Sequence, residues 1–203
     1  GIFQAGDTLT TTAFFSVEAG ALVILAVTDY VPSSTQHVID ARYFFASSRL
    51  PVLEPRDHQE MYDIARTAAD MSKQFNTPVI VLASGMLAHS EALIKTHEAR
   101  SVKPKELPEN LKKWMNLPVI ARANYNKATT ERIPLIKKWA DTSQLVNVTY
   151  GKEDWGVIVS GDSKIISSEA FNIANIKPSV LSLAITYPIP EAIIVDFAST
   201  IKG

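Results

Sequence analysis

Seven apolar residues run without a break from Ala21 to Val27, and the chain then turns abruptly polar. A run of this length containing Val and Ile fits a central strand of a parallel sheet covered on both faces. Parallel neighbours need a crossover, usually a helix, so helical patterning must follow. It does. "LPVLEPRDHQEMYDIARTAADMSKQF" reads as a short strand at Val52–Leu53, then Pro55, then a long amphipathic helix. In that helix Met61, Ile64, Ala65, Ala68 and Met71 fall at helical spacing. Asp57 followed by Glu60 is a capping-box-like start. "TPVIVLAS" is the next buried strand, ending at Ser84. Strand, helix, strand, helix, strand predicts an α/β layer with parallel pairing.

From about Leu87 to Tyr150 the periodicity weakens, and lysines mix with Pro104, Pro108, Pro118 and Pro134. This predicts an irregular connector with one or two helices, wrapped over a neighbour because it carries large apolar residues such as Trp114, Ile120 and Trp139. Order returns with "WGVIVSGDSKIISSEAFNIANIKPSVLSLAITYPIPEAIIVDFASTI", a second α/β unit. Three parts are expected: 1–90, a connector over 91–152, and 153–203. The ends look cut from something longer, since the chain opens on Gly1 rather than Met and stops straight after a helix.

The charge balance is near neutral, −1 over 203 residues, which argues against a nucleic-acid surface. No apolar run approaches the roughly 18 residues of a membrane span, and no signal-peptide pattern opens the chain. There is no cysteine, so disulfides and thiolate or iron–sulfur ligation within this chain are excluded. The composition is compatible with the cytoplasm.

In open α/β sheets ligands bind beyond the carboxyl ends of the strands. Asp29, Ser34, Thr35, Gln36, His37 and Asp40 crowd into that position after the first strand. Ser34 and Gln36 either bind a ligand or stabilise the loop. Asp40 and Arg42, two apart, read first as an ion pair bracing it. His89 follows the strand ending at Ser84, where a general acid, a carboxylate-binding group or a capping residue can stand. His37, His58 and His97 share no metal-ligand spacing, and no metal site is assigned. "SGDSKI" reads as a helix-capping turn rather than a phosphate cradle.

Several motifs then line up in one order. "DYVPSSTQHVIDARYF" keeps Asp29, Ser34, Gln36, Asp40, Arg42 and Tyr43 of an Asp-Pro-Gly…Ser-Ser-Gln-Asn-Glu-Gln-Asp-x-Arg-Tyr pattern, with Thr35 for the second Ser. "RLPVLEPRDHQEMYDI", "TPVIVLASGMLAHSEA", "LPVIAR" and "ITYPIPEAIIVDFA" follow in the same order. Together they resemble the alpha subunit of indolepyruvate:ferredoxin oxidoreductase, within the thiamine-diphosphate-dependent 2-oxoacid:ferredoxin oxidoreductases. The resemblance covers nearly the whole chain.

It implies a parallel-sheet, thiamine-diphosphate-binding-like (pyrimidine) domain ending near residue 90, and the start of a transketolase-C-terminal-like α/β domain from 153. It also implies oxidative decarboxylation of an indolepyruvate-like 2-oxoacid to an acyl-CoA, with electrons passed to ferredoxin. Thiamine diphosphate and magnesium would be bound mostly outside this segment, and the iron–sulfur clusters wholly outside it. The implied partners are another subunit, a 2-oxoacid, coenzyme A and ferredoxin, in a cytoplasmic oligomer with no nucleic acid and no membrane. The implied site residues are His89 as catalytic, and Ser34, Thr35, Gln36, Asp40, Arg42 and Arg122 as substrate- or cofactor-binding. Two departures stand out: His37, Val38 and Ile39 replace Asn-Glu-Gln, and Met86 stands where an arginine is expected. They favour the alternative, a non-catalytic binding or regulatory relative that kept the fold and lost the pocket.

Overall fold

The computed structural model describes residues 1–15, 20–28, 40–101, 106, 109–115 and 117–201. In chain order the elements are α1 (Gly6–Thr12), β1 (Val23–Thr28), α2 (Arg42–Ser47), β2 (Val52–Leu53), α3 (His58–Phe75), β3 (Val79–Ser84) and α4 (Gly85–Ala88). They continue with α5 (Pro118–Lys127), α6 (Ile133–Ala140), β4 (Val146–Thr149), β5 (Gly156–Ser160), α7 (Ser163–Ala174), β6 (Ser179–Leu183), β7 (Ile185–Tyr187) and α8 (Glu191–Thr200). The fold is mixed α/β with parallel pairing at its centre, as expected.

The first sheet has the order β1-β3-β2-β7. β3 pairs in parallel with β1 on one side and β2 on the other, and every one of its residues is buried. Its alternation divides the core. Val79 and Val81 pack with Ile64, Ala68 and Met71 of α3 and with Ile136 and Ala140 of α6. Ile80 and Leu82 point the other way, to Leu9 of α1 and Phe45 of α2. Each such side chain contributes about 1.5–3 kcal/mol by leaving water. α3 starts as its sequence requires: the Asp57 carboxylate accepts from the Glu60 N–H at 2.7 Å, and Glu60 accepts from the Arg56 N–H at 2.8 Å.

Three expectations need correction. The run at Ala21–Val27 is not a central strand: β1 lies at the sheet edge, with Leu25 58% and Val27 46% exposed. Its apolar residues outnumber the neighbours available within this chain. Ala65 is exposed, because it sits off the stripe formed by Ile64, Ala68 and Met71. The stretch before Tyr150 is less irregular than its composition suggests. α5 and α6 are joined through a π-helical turn, Ala128–Arg132, into one helix that delivers Ile136 and Ala140 to the core.

The second sheet has the order β4-β6-β5, with β6 central, parallel to β5 and antiparallel to β4. Its own core is Leu181, Leu183 and Phe197 of α8. After β6 the chain returns to the first sheet, where β7 pairs antiparallel with β2. No helix among the described residues is long and apolar enough to cross a membrane.

Residues 90–101 have no regular structure and lie along the outer face of α3. The contacts climb that helix in order. His58 Nε2 meets the Ser90 carbonyl at 2.9 Å. The Gln59 amide pairs with both backbone groups of Lys95, at 2.7 and 3.1 Å. The Tyr62 hydroxyl accepts from the His97 N–H at 3.1 Å, and Arg66 donates to the Glu98 carbonyl at 3.3 Å. Arg100 pairs with Asp70.

Candidate functional site

The carboxyl ends of β3 and β5 face one cleft of about 910 Å³. Position follows from sequence here. β3 ends at Ser84, whose hydroxyl accepts from the Leu87 N–H at 3.0 Å and so starts the short α4. α4 carries the exposed Met86 to the cleft, and His89 closes it by donating its N–H to the Gly85 carbonyl at 3.0 Å. The imidazole of His89 makes no hydrogen bond or ion pair with another described residue.

The opposite wall comes from the second sheet. β5 ends at Ser160, Gly161 turns with φ +51°, and α7 begins at Ser163. Val159, Asp162, Ile166 and Ala170 line this side. Asp162 stands at the position before the helix, yet its side chain makes no capping hydrogen bond. Its backbone is already helical, φ −57° and ψ −26°. A capping side chain needs an extended backbone at that position. The turn is as expected from "SGDSKI", but the capping role is not: the carboxylate is left in the cleft.

At the floor lies Glu54, 2% exposed, directly after β2. The Arg42 guanidinium holds it twice, through Nε to Oε2 at 3.2 Å and through Nη2 to Oε1. A third donor, Nη1, reaches Asp40 at 3.0 Å. The Asp40–Arg42 ion pair read from their spacing is therefore present, and Glu54 is the partner that spacing did not reveal. A Cβ on Gly161 would stand 3.0 Å from Glu54 Cγ and 3.1 Å from Oε1. Glycine is required there for both its φ and its contact. Nearby on α7, the Lys164 ammonium is held below its usual range by burial first, then by the charge of Arg56.

Of the residues named from sequence, Arg42 and His89 meet at the cleft, and Asp40 joins them through Arg42. Arg122 is exposed on α5 and does not line it. Ser34, Thr35 and Gln36, with Asp29 and the His37–Ile39 departure, lie outside the described residues. Glu54 and Asp162 were missed as cleft residues. The signal for Glu54 was a charged residue between two apolar positions and a proline. Among the described residues no three His, Cys, Asp or Glu side chains are grouped as a metal site.

A sequence-family profile described as pyruvate flavodoxin/ferredoxin oxidoreductase, thiamine-diphosphate-binding, matches residues 31–146. The indolepyruvate oxidoreductase subunit IorA of Methanothermobacter marburgensis is 27% identical over 206 residues, taking in 100% of this chain and 33% of its own length. The protein of the same name from Archaeoglobus fulgidus is 28% identical over 208 residues, covering 100% and 32%. The chain thus spans about a third of the length of these curated relatives. Among solved structures, 2-oxoglutarate:ferredoxin oxidoreductase from Magnetococcus marinus, with 2-oxoglutarate, coenzyme A and succinyl-CoA bound, superposes with a TM-score of 0.63. It is 17% identical and covers 96% of this chain and 42% of that one, which is a likeness of fold.

Proposed function

Because the chain belongs to the pyruvate flavodoxin/ferredoxin oxidoreductase, thiamine-diphosphate-binding family, we propose that it is a segment of a thiamine-diphosphate-dependent 2-oxoacid:ferredoxin oxidoreductase. The reaction is oxidative decarboxylation of an indolepyruvate-like 2-oxoacid to an acyl-CoA, with ferredoxin as electron acceptor. The observation carrying this reading is that β3 and β5 end at one cleft with His89 on one wall and apolar residues on the other. The relatives' name supports an indole-bearing substrate. A second subunit and oligomeric assembly belong to the same proposal.

The residues present fit one part of the cofactor better than the other. An apolar cleft beyond strand ends suits a thiamine ring or the substrate attached to it. The diphosphate needs a magnesium ion held by grouped oxygen ligands, and the described residues offer no such group. That end therefore belongs to polypeptide outside them, as do the iron–sulfur clusters, since this chain has no cysteine. Thiamine diphosphate, when bound, supplies the carbanion chemistry of decarboxylation.

The chain's own residues do the following. Met86, Val159 and Ile166 exclude water from the reacting end and pack against an apolar substrate. His89, exposed and uncommitted, exchanges a proton with the substrate's oxygen. Arg42 braces the floor by holding Glu54 and Asp40 rather than a substrate carboxylate.

One observation favours the alternative of a non-catalytic relative. The family's arginine is Met86 here, Arg42 is committed to two carboxylates, and Arg122 does not line the cleft. Viologen-dye reduction with a 2-oxoacid and coenzyme A separates the readings. The full-length protein with its partner subunit is expected to reduce the dye, and the 203-residue chain alone is not. Absence of turnover with any 2-oxoacid in the complete assembly would favour the non-catalytic relative.

A further inference from the structure

We propose that Asp162 is a specificity-determining residue that accepts a hydrogen bond from the ring N–H of a heteroaryl 2-oxoacid such as one bearing indole. The inference rests on the reading of the cleft as a 2-oxoacid site. It begins from an unmet acceptor. Asp162 is half-buried, lines the cleft, and makes no side-chain hydrogen bond or ion pair with another described residue. Partly buried polar groups are normally satisfied, and an unsatisfied one asks for a partner. The adjacent amino end of α7 keeps the carboxylate ionised, which strengthens its hydrogen bonds.

The surroundings narrow the donor. Val159, Ile166, Ala170 and Met86 make the walls apolar, which suits a flat ring rather than a polyol or a peptide. A second substrate carboxylate is disfavoured, because it would meet Asp162 in a cleft whose guanidinium already serves Glu54 and Asp40. A ring N–H satisfies the carboxylate without adding charge. It also orients the molecule, since repulsion from Asp162 directs the 2-oxoacid end away from α7. Gly161, pressed against Glu54, fixes the turn from which Asp162 projects. A site built to bond a ring N–H discriminates strongly against an analogue lacking it, because its own polar group is then left unpaired.

The test is a cycle of two non-reacting probes and two proteins, using the full-length protein with its partner subunit. Indole-3-acetate and 1-methylindole-3-acetate are titrated by calorimetry against the wild type and Asp162→Ala. The wild type is expected to prefer the N–H probe by roughly ten- to a hundredfold. Asp162→Ala is expected to erase most of that preference, which separates the hydrogen bond from the steric effect of the methyl group. Asp162→Asn, which keeps the shape and a neutral acceptor, is expected to retain a reduced preference and stands in if the alanine variant does not fold. Equal binding of both probes by the wild type, failure of either probe to bind, or a preference unchanged in the variants overturns the assignment. Turnover is measured alongside. An assembly that oxidises 2-oxoacids without the preference sinks this assignment and spares the reaction, whereas the preference without turnover sinks the reaction alone.

Discussion

The guanidinium of Arg42 and the carboxylate of Glu54 form a two-point pair across 12 residues of sequence, one partner nearly sealed from water and the other reaching out to Asp40. The sealed partner sets the energetics. Removing the cation leaves a buried carboxylate short of its main partner, so Arg42→Ala is expected to cost up to about 3–5 kcal/mol. Asp40→Ala removes only an exposed pair and is expected to cost less than about 1 kcal/mol. Urea unfolding of both variants checks the contrast. Equal losses would show that the buried contact carries no special weight.

Gly161 offers a cleaner contrast between two glycines. Its φ of +51° and the proximity of Glu54 both oppose a side chain, whereas a Cβ at Gly20 meets nothing within 4 Å. Gly161→Ala is expected to destabilise by about 1–3 kcal/mol, with Gly20→Ala within about 1 kcal/mol of wild type. Thermal unfolding of the two variants decides it.

The pH dependence of the 90–101 segment centres on Asp63. A hydrogen bond from His97, at 2.7 Å, is the first cause that holds its carboxyl below the ordinary value of 3.8, and Gln59 adds to it. The folded value is depressed, so the stabilisation is present above the unfolded value and is lost as pH falls through the lower folded one. Both side chains are about half exposed, and the effect on stability is under about 1 kcal/mol. Carboxyl NMR titration is expected to show Asp63 returning toward 3.8 in His97→Ala. An unmoved titration would show that the contact does not persist in solution.

Met86 tests the proposed reaction. Restoring an arginine gives a substrate carboxylate a charge-assisted partner worth about 1.5–3 kcal/mol. In the complete assembly Met86→Arg is expected to lower KM for a 2-oxoacid by roughly tenfold or more. Arg122→Ala is expected to leave KM unchanged, because that residue stands off the cleft. A rise in KM on losing Arg122 would relocate the carboxylate site.

Local pattern and distant neighbour separate what the sequence made legible from what it did not. The cap at Asp57 and Glu60, the stripe of Ile64, Ala68 and Met71, and the buried β3 are contacts within a few residues or periodicities of one element. They were readable. The family was readable too, from five collinear motifs. The edge position of β1 was not, because an apolar run does not say how many neighbours cover it. The return of β7 to the first sheet was equally hidden, since antiparallel pairing with β2 spans more than 130 residues. At the cleft, Asp40 and Arg42 were read from spacing, but Glu54 joined them only through the fold. Asp162 looked like a cap until its backbone proved helical.

The same return of β7 governs the order in which the chain can be completed during synthesis. Val52 and Leu53 of β2 are fully buried, yet their outer neighbour is Ile185–Tyr187, close to the last residue made. A nascent chain that has emerged only as far as β3 holds a sheet with one flank still unpaired. The second sheet is interposed in time, so its strands must form before that flank closes. Any truncation between the two sheets, however natural it looks along the chain, leaves an adhesive edge rather than an autonomous half.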